Sequence, residues 1–156
     1  MVKGRGITTA MAAIPQPKGK NQPNKVWKVL FDSGSDGDIA SIRESKKSSI
    51  DMHNRLHPQS WKTSNGIFDT SKIGNVLLTL PKFSTSKIMS VRPDIQSIDE
   101  DQPPPMHDLI IGLETLSDWK TILNFHDKTL IIDHVELPMQ SLISLNNPKI
   151  LNNLYR

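Results

Sequence analysis

The sequence contains no cysteine and no long apolar run, and each absence narrows the class of protein. Without cysteine, disulfide bonds, thiol catalysis and cysteine-ligated zinc sites are excluded. No window approaches the roughly 18 consecutive apolar residues that a membrane-spanning helix needs. No apolar stretch near residue 1 has the length of a signal peptide. We therefore expect an intracellular, cytoplasmic protein that binds no membrane.

Acidic residues are absent from the first 31 positions, which carry six basic ones, whereas the remainder has 13 basic and 16 acidic residues. The net charge of +3 therefore originates in the N-terminal part. A basic segment can contact nucleic-acid phosphates, but no aromatic residue precedes Trp27 to stack on bases. A solvated linker explains the charge better, so we do not expect a nucleic-acid partner.

Composition divides the chain into three predicted parts. Residues 1–25 are rich in Gly, Pro, Lys, Gln and Asn, and we predict a disordered basic segment. Residues 26–139 alternate short apolar runs with turn signals, which indicates one mostly β domain that is large enough for a core. Residues 140–156 are polar and Asn-rich and are predicted to form a connector or tail.

The apolar runs typical of β-strands are short, and turn residues or prolines separate them. The pair Asn65-Gly66 is a strong hairpin signal. The run at 109–112 is continuous enough for a strand that is buried on both faces. One short helix is predicted over 113–119. The predicted strands cover 26–31, 75–80, 88–91, 109–112, 121–125 and 129–135, with a hairpin over 61–68.

The triplet Asp32-Ser33-Gly34 directly follows a predicted strand, so a carboxylate stands where the floor of a cleft can form. Ser33 can fix the loop by hydrogen bonds, and Gly34 lets the backbone approach the carboxylate closely. Most such triplets are ordinary turns, and taken alone this one favours a turn. An aspartic protease needs two such loops, and this sequence has one. Asp51 lacks a following Ser/Thr-Gly, and Asp108 precedes an apolar strand rather than following one.

Three signals in this order resemble retropepsin-like aspartic proteases, most closely those of Ty3/gypsy-type retrotransposon polyproteins. They are the triplet within residues 30–39, the hairpin at 61–68 in the position of a flap, and the apolar-apolar-Gly run at 107–112. The resemblance covers about residues 26–139, and its three signals together outweigh the ordinary-turn interpretation. It implies a closed β-barrel with one short helix, and a homodimer as the active form.

The resemblance also implies an aspartic endopeptidase that cleaves an extended peptide or a retrotransposon polyprotein without a cofactor or metal. Each chain of the dimer would supply one Asp32, and the two carboxyls would share one proton at mildly acidic to neutral pH. The implied location is the cytoplasm, with a virus-like particle as an alternative. The implied catalytic residues are Asp32, Ser33 and Gly34, and the implied substrate-binding residues are Ser35, Asp36, Asn65, Gly66 and Ile67.

One position departs from the family pattern. Members usually carry Arg followed by Asp or Asn after the second-half glycine, whereas this sequence has Leu113 and Glu114. That Arg supports the active-site loop and the dimer contact in the family, and Arg43 is a candidate replacement here. The departure favours an alternative function, in which a domesticated and catalytically inactive copy acts as a dimerisation or peptide-binding module. The intact triplet at Asp32 favours the protease.

Metal sites are weaker interpretations of the same sequence. Residues 32–38 resemble a calcium loop, but Gly34 stands at an oxygen-donor position and Arg43 stands where the bidentate Glu is needed. His53 and His57 are four residues apart, and no third ligand accompanies them. We therefore predict no metal site.

Overall fold

The computed structural model describes residues 9–15, 24–63, 66–81, 83–84, 87–97 and 105–139. Within them the protein is mostly β, with eleven strands and two short helices. None of the described helices is long and apolar enough to cross a bilayer. The elements are β1 (Thr9–Ile14), β2 (Lys25–Phe31), β3 (Ile39–Ser41), α1 (Ile42–Lys47), β4 (Asp51–Thr63), β5 (Gly66–Leu78), β6 (Met89–Val91), β7 (Asp94–Gln96), β8 (Leu109–Ile111), α2 (Leu113–Asp118), β9 (Ile122–Asn124), β10 (Thr129–Ile132) and β11 (Val135–Pro138).

The strands form an eight-stranded mixed sheet and a separate three-stranded sheet. The large sheet has the order β1-β2-β8-β3-β7-β5-β4, with β6 paired to β5, and the small sheet has the order β11-β10-β9. Strand β8 is parallel to β2 and antiparallel to β3. The two strands that flank the Asp32 loop are therefore both hydrogen-bonded to β8.

The predicted closed barrel is not found among the described strands. The large sheet has β1 at one edge and β4 at the other. An isolated bridge between Ala13 and Thr79 joins β1 to the residue that follows β5. Its two hydrogen bonds are reciprocal and 2.9 Å long. The sheet therefore curves back on itself without completing a continuous ladder.

The core lies against one face of the large sheet, as the side chains of β2 illustrate. Trp27, Val29 and Phe31 are buried and their neighbours are not, which is the two-residue period of a strand with one buried face. Trp119, directly after α2, packs edge-to-face on Phe31 at 6.4 Å between ring centroids. Residues of β1, β5, β8, α2 and the small sheet complete the core, among them Ile14, Leu78, Leu109, Ile111, Leu116, Leu130 and Ile132.

The predicted disorder of residues 1–25 is wrong for Thr9–Ile14, which forms β1 along the edge of β2. Ala12 and Ile14 are buried in the core, because this six-residue run is apolar enough to extend the large sheet at its edge. The residues on either side of the run are polar and rich in Pro and Gly, so the composition of the whole segment indicated disorder. Residues 1–8, 16–23 and the predicted tail at 140–156 lie outside the described residues.

Two further predictions need correction. The strand predicted over 129–135 is β10 and the beginning of β11, joined by a two-residue turn at Asp133 and His134. Both turn residues have positive φ, 45° and 72°, as in the turns that join strands most tightly. The prediction of one helix is also wrong, because α1 precedes β4 in addition to the expected α2.

The hairpin predicted over 61–68 is confirmed and is much longer than expected. Its strands β4 and β5 have 13 residues each, and Thr63 pairs with Gly66 at the end of the ladder. Ser64 and Asn65 lie outside the described residues. The register shifts between Asn54 and Gln59, so β4 is irregular where it turns from the body of the sheet toward the hairpin end.

Asp108 joins the beginning of β8 to β2 and β3. Its Oδ2 accepts the Lys28 N–H at 2.8 Å, and its own N–H donates to the Lys28 carbonyl at 2.9 Å. The Ser41 N–H donates to the Asp108 carbonyl at 3.0 Å. Burial raises the pKa of Asp108 to about 6, although the hydrogen bond from Lys28 acts in the opposite direction. Asp108 is therefore a structural acid at the opposite end of β8 from the Asp32 loop.

We predict that Asp108→Asn removes a pH-dependent part of the free energy of unfolding. The raised pKa means that the folded state binds the proton more tightly than the unfolded chain. The resulting stabilisation is present below about pH 4 and is lost as the pH rises through about 6. Between pH 4 and 7 the wild type should therefore lose up to ~3 kcal/mol relative to the variant.

Urea unfolding of both proteins at pH 4, 5, 6 and 7 measures this difference, and the Asn amide oxygen still accepts the Lys28 N–H. An NMR titration of the Asp108 carboxyl carbon gives an independent midpoint, expected near pH 6. Parallel stability curves for wild type and variant across this range would contradict the prediction.

Candidate active site

The Asp32 loop connects β2 to β3 and lies against the end of β8. The Asp32 N–H donates to the Ile111 carbonyl at 2.9 Å, which extends the pairing of β2 with β8 by one residue. The Gly34 N–H donates to Asp32 Oδ1 at 2.9 Å, and a Cβ at position 34 would lie 3.1 Å from that oxygen. The backbone of the loop therefore orients the half-buried carboxylate, as the sequence predicts for Gly34.

Close backbone packing joins the loop to the beginning of α2. A Cβ on Gly112 would lie 2.5 Å from the Gly37 carbonyl oxygen and 2.8 Å from the Ser35 carbonyl oxygen. The Leu113 N–H donates to the Ser35 carbonyl at 2.8 Å, and the Ser35 hydroxyl donates to the Gly37 carbonyl at 2.7 Å. Glycine is therefore required at position 112 for the loop to lie where it does.

Asp38 supplies the side-chain support for this junction. Its two carboxylate oxygens accept the Gly112 N–H at 2.7 Å and the Thr115 hydroxyl at 2.6 Å. Gly112 is the N-cap of α2, so Asp38 satisfies one of the backbone N–H groups at the beginning of this helix from a distant part of the chain. Burial raises the pKa of Asp38, and the two hydrogen bonds oppose that rise. Leu113 and Glu114, which stand where the resembled family usually has Arg followed by Asp or Asn, are both exposed.

An open cleft of about 800 Å³ lies between the loop and the outer part of β4. Pockets of this size hold small ligands or short peptide segments. Its lining combines the loop with four consecutive residues of β4 and with side chains of β3, β7 and β8: Asp32, Gly34, Ser35, Asp36, Gly37, Ile39, Gln59, Ser60, Trp61, Lys62, Asp94 and Ile110.

Ile110 corrects the prediction that the strand at 109–112 is buried on both faces. Leu109 and Ile111 are buried in the core, whereas Ile110 is half-buried and lines the cleft. Ile110 pairs with Ile39 across the β3–β8 ladder. Two apolar side chains therefore lie together on the cleft floor next to Asp32.

Four of the predicted site residues come together in the cleft: Asp32, Gly34, Ser35 and Asp36. Ser33 is exposed on the loop and does not line the cleft. Gly66 and Ile67 begin β5 at the hairpin end, where the Ile67 side chain is 72% exposed. Asn65 lies outside the described residues. Arg43, the candidate replacement for the missing Arg, lies on α1.

The sequence patterns did not reveal several residues of the cleft: Gly37, Ile39, Gln59, Ser60, Trp61, Lys62, Asp94 and Ile110. The hairpin signal could have located the four β4 residues, but no local signal marks Asp94. His53 and His57 are exposed on β4. The described part of the chain contains no group of three or more His, Cys, Asp or Glu that could hold a metal ion.

Comparison with known proteins adds structural evidence. No family model and no curated protein matches the sequence. The structure is similar to the retroviral protease-like domain of Ddi1 from Leishmania major, with a TM-score of 0.57, 15% identity, and coverage of 87% of this chain and 95% of that one. The fold is retropepsin-like. The Legionella pneumophila protein Lpg0085, of unknown function, gives a TM-score of 0.39 at 11% identity, covering 72% and 86% of the two chains, which supports no conclusion.

The close contact between Gly112 and the backbone of the Asp32 loop can be tested by substitution. We predict that Gly112→Ala lowers the free energy of unfolding by about 1–3 kcal/mol, because the new Cβ would overlap backbone atoms of the loop. Gly74→Ala is the matched control, since its Cβ would meet only the ends of the Ile95 and Ile50 side chains, at 3.0 and 3.3 Å. Urea unfolding compares the two variants, and a smaller loss for Gly112→Ala than for Gly74→Ala would contradict the prediction.

Proposed function

We propose that this protein is an aspartic endopeptidase in which two Asp32 carboxyls, one from each chain of a homodimer, activate a water molecule. The observation that carries the proposal is the position of Asp32 in a retropepsin-like fold. Its half-buried carboxylate lies on the floor of a cleft of about 800 Å³ and accepts the Gly34 N–H. An extended peptide is the substrate that we propose for this open site.

One chain supplies half of the acid–base pair. The other carboxyls on the cleft wall have different surroundings, because Asp94 is paired with Arg55 at 2.8 Å and Asp36 is exposed on the loop. A second copy that brings its own Asp32 within about 3 Å would create a pair that shares one proton. The homodimer is therefore an essential part of the proposal.

The chemistry of such a pair is a direct attack of water. The ionised carboxylate removes a proton from the water molecule as its oxygen bonds to the scissile carbonyl carbon, while the protonated carboxyl transfers its proton to the carbonyl oxygen. As the tetrahedral intermediate collapses, one of its two hydroxyls returns its proton to the ionised carboxylate, the C–N bond breaks, and the leaving nitrogen takes the proton of the other carboxyl. The products are a carboxylic acid and an amine, and the pair again holds one proton.

The peptide would bind as a strand between the loop and β4. Strand β4 is at the edge of the large sheet, and the backbone of an edge strand can hydrogen-bond an added peptide. Ile39 and Ile110 would receive an apolar side chain next to the scissile bond. Asp36 and the hairpin end at Gly66 and Ile67 remain the proposed contacts to the substrate backbone.

The natural substrate that we propose is a polyprotein of a Ty3/gypsy-type retrotransposon, processed in the cytoplasm or in a virus-like particle. The order of the loop, hairpin and apolar-apolar-Gly signals in the sequence supports this choice of substrate. The alternative is a catalytically inactive copy that dimerises or binds peptides. Both functions use the same fold and cleft, so a measurement of cleavage separates them.

We predict that Asp32→Asn lowers cleavage of a peptide library at pH 5 to 7 by about 10²–10⁴-fold, because the amide cannot act as a base. A statine-type inhibitor should block the wild type. Specific activity should rise with protein concentration, as expected for an obligate dimer. The matched control is Asp51→Asn, which removes an exposed carboxyl at the beginning of β4. Absence of cleavage at concentrations where the wild type is dimeric would favour the inactive module.

A second prediction concerns the apolar floor of the cleft. Ile110→Ser should lower kcat/KM by about 10–100-fold for peptides with a large aliphatic side chain next to the scissile bond, because the apolar contact is lost. The matched control is Leu77→Ser on β5, where the side chain is 55% exposed and does not line the cleft. Equal kcat/KM values for the two variants would show that this floor does not contact the substrate.

A further inference from the structure

Trp61 lies where the hairpin meets the Asp32 loop, and two residues of β5 hold its indole. The ring stacks on Phe68 with 6.2 Å between centroids and an interplanar angle of 10°. Its Nε1–H donates to the hydroxyl of the buried Thr70 at 3.1 Å. The indole cannot turn away from the hairpin without losing both contacts.

The Thr70 hydroxyl connects Trp61 to an ion pair. It lies 3.2 Å from Asp94 Oδ1, and the same oxygen accepts Arg55 Nη1 at 2.8 Å. The side chains of Arg55 and Asp94 are only 26% and 13% exposed, and the loss of one partner from such a pair is costly. The Asp94 N–H also donates to the Asp38 carbonyl at 2.9 Å. The chain of contacts therefore runs from the hairpin to the base of the Asp32 loop.

The indole reaches the loop at Gly37, where the absence of a side chain makes room for it. A Cβ at position 37 would lie 3.0 Å from Trp61 Cη2. Gly37 directly follows Asp36, and both line the cleft together with Trp61. With one face covered by Phe68 and an edge against Gly37, the indole is a fixed part of the cleft wall.

We propose that Trp61 determines specificity by limiting the size of the one substrate side chain that lies against its indole beside Gly37, and that Arg55, Asp94 and Thr70 are positioning residues that hold its indole. The proposal rests on the peptide-binding cleft of the proposed function. The substrate class it selects is an extended peptide with a small or medium aliphatic side chain at this subsite. A bulky aromatic side chain would meet an indole that cannot move aside.

The test uses peptides that are identical except for one Trp residue, placed at each position in turn, with Val as the reference residue. The wild type should disfavour Trp at one position by at least tenfold in kcat/KM, mainly through KM. Trp61→Ala should remove this preference. Thr70→Val should weaken it by releasing the indole, whereas Thr70→Ser should retain it because the hydroxyl remains. Trp61→Phe keeps an aromatic ring without the Nε1 donor and should give an intermediate preference.

The matched control is Asp69→Ala. It removes the hydrogen bond from Ser60 to Asp69, which is 2.6 Å long and joins β4 to β5. This hydrogen bond is not one of the contacts that link Arg55, Asp94 and Thr70 to Trp61. This variant should keep the wild-type preference. A preference that changes equally in Asp69→Ala and Thr70→Val would show a general loosening of the hairpin and would overturn the positioning role.

A readout independent of substrate is solvent exchange of the Trp61 indole N–H, measured by NMR. Exchange should be slow in the wild type and in Thr70→Ser, and at least tenfold faster in Thr70→Val. Equal exchange rates in all three proteins would overturn the positioning role of Thr70.

Peptide binding to the Asp32→Asn protein separates this inference from the proposed function. Cleavage that depends on Asp32, with the same side-chain preference in Trp61→Ala, would overturn the inference and leave the protease in place. Absence of cleavage, with binding whose preference depends on Trp61, would overturn the protease and support the subsite. Peptides that are neither bound nor cleaved would overturn both.

Discussion

Close contact between the backbone at Gly112 and the Asp32 loop is the constraint on which the rest of the site depends. The loop carbonyls of Ser35 and Gly37 lie where any side chain at position 112 would be. Asp38 reinforces this junction by accepting the Gly112 N–H and the Thr115 hydroxyl. The loop is therefore fixed by its own chain, without the Arg that usually follows this glycine in the family that the sequence resembles.

Two acids, Asp108 and Asp32, lie at opposite ends of the ladder between β2 and β8. At its beginning, Asp108 is bound to the Lys28 backbone and is protonated more readily than an ordinary aspartate, because it is buried. At its end, the Ile111 carbonyl accepts the Asp32 N–H and fixes the point where the loop leaves β2. The middle residue, Ile110, lines the cleft. Within residues 108–111, Asp108 thus joins the strands, Ile110 lines the cleft, and Ile111 anchors the Asp32 loop.

Local signals were sufficient for the hairpin of β4 and β5 and for α2, because each depends on residues that are close in sequence. Helix α1 has six residues, too few for a recognisable period, although Ser41 and Glu44 have the spacing of a capping box. Ile110 was wrongly predicted to lie in the core because apolar residues line this cleft as well as the core. No spacing rule joins Asp38 to Gly112, or Arg55 to Asp94, since these contacts span 74 and 39 residues.

The contacts that support the Asp32 loop all lie within one chain. The contacts that hold Asp32 come from its own loop and from β8, while Asp38 and Gly112 hold the rest of the loop, so the fold needs no second carboxyl to be complete. Ser33 is exposed beside Asp32. When two copies of a chain must associate to complete an active site, the fraction of complete sites depends on protein concentration by mass action. Under the proposed function, protein concentration would therefore control cleavage, and the fold would persist when cleavage is absent.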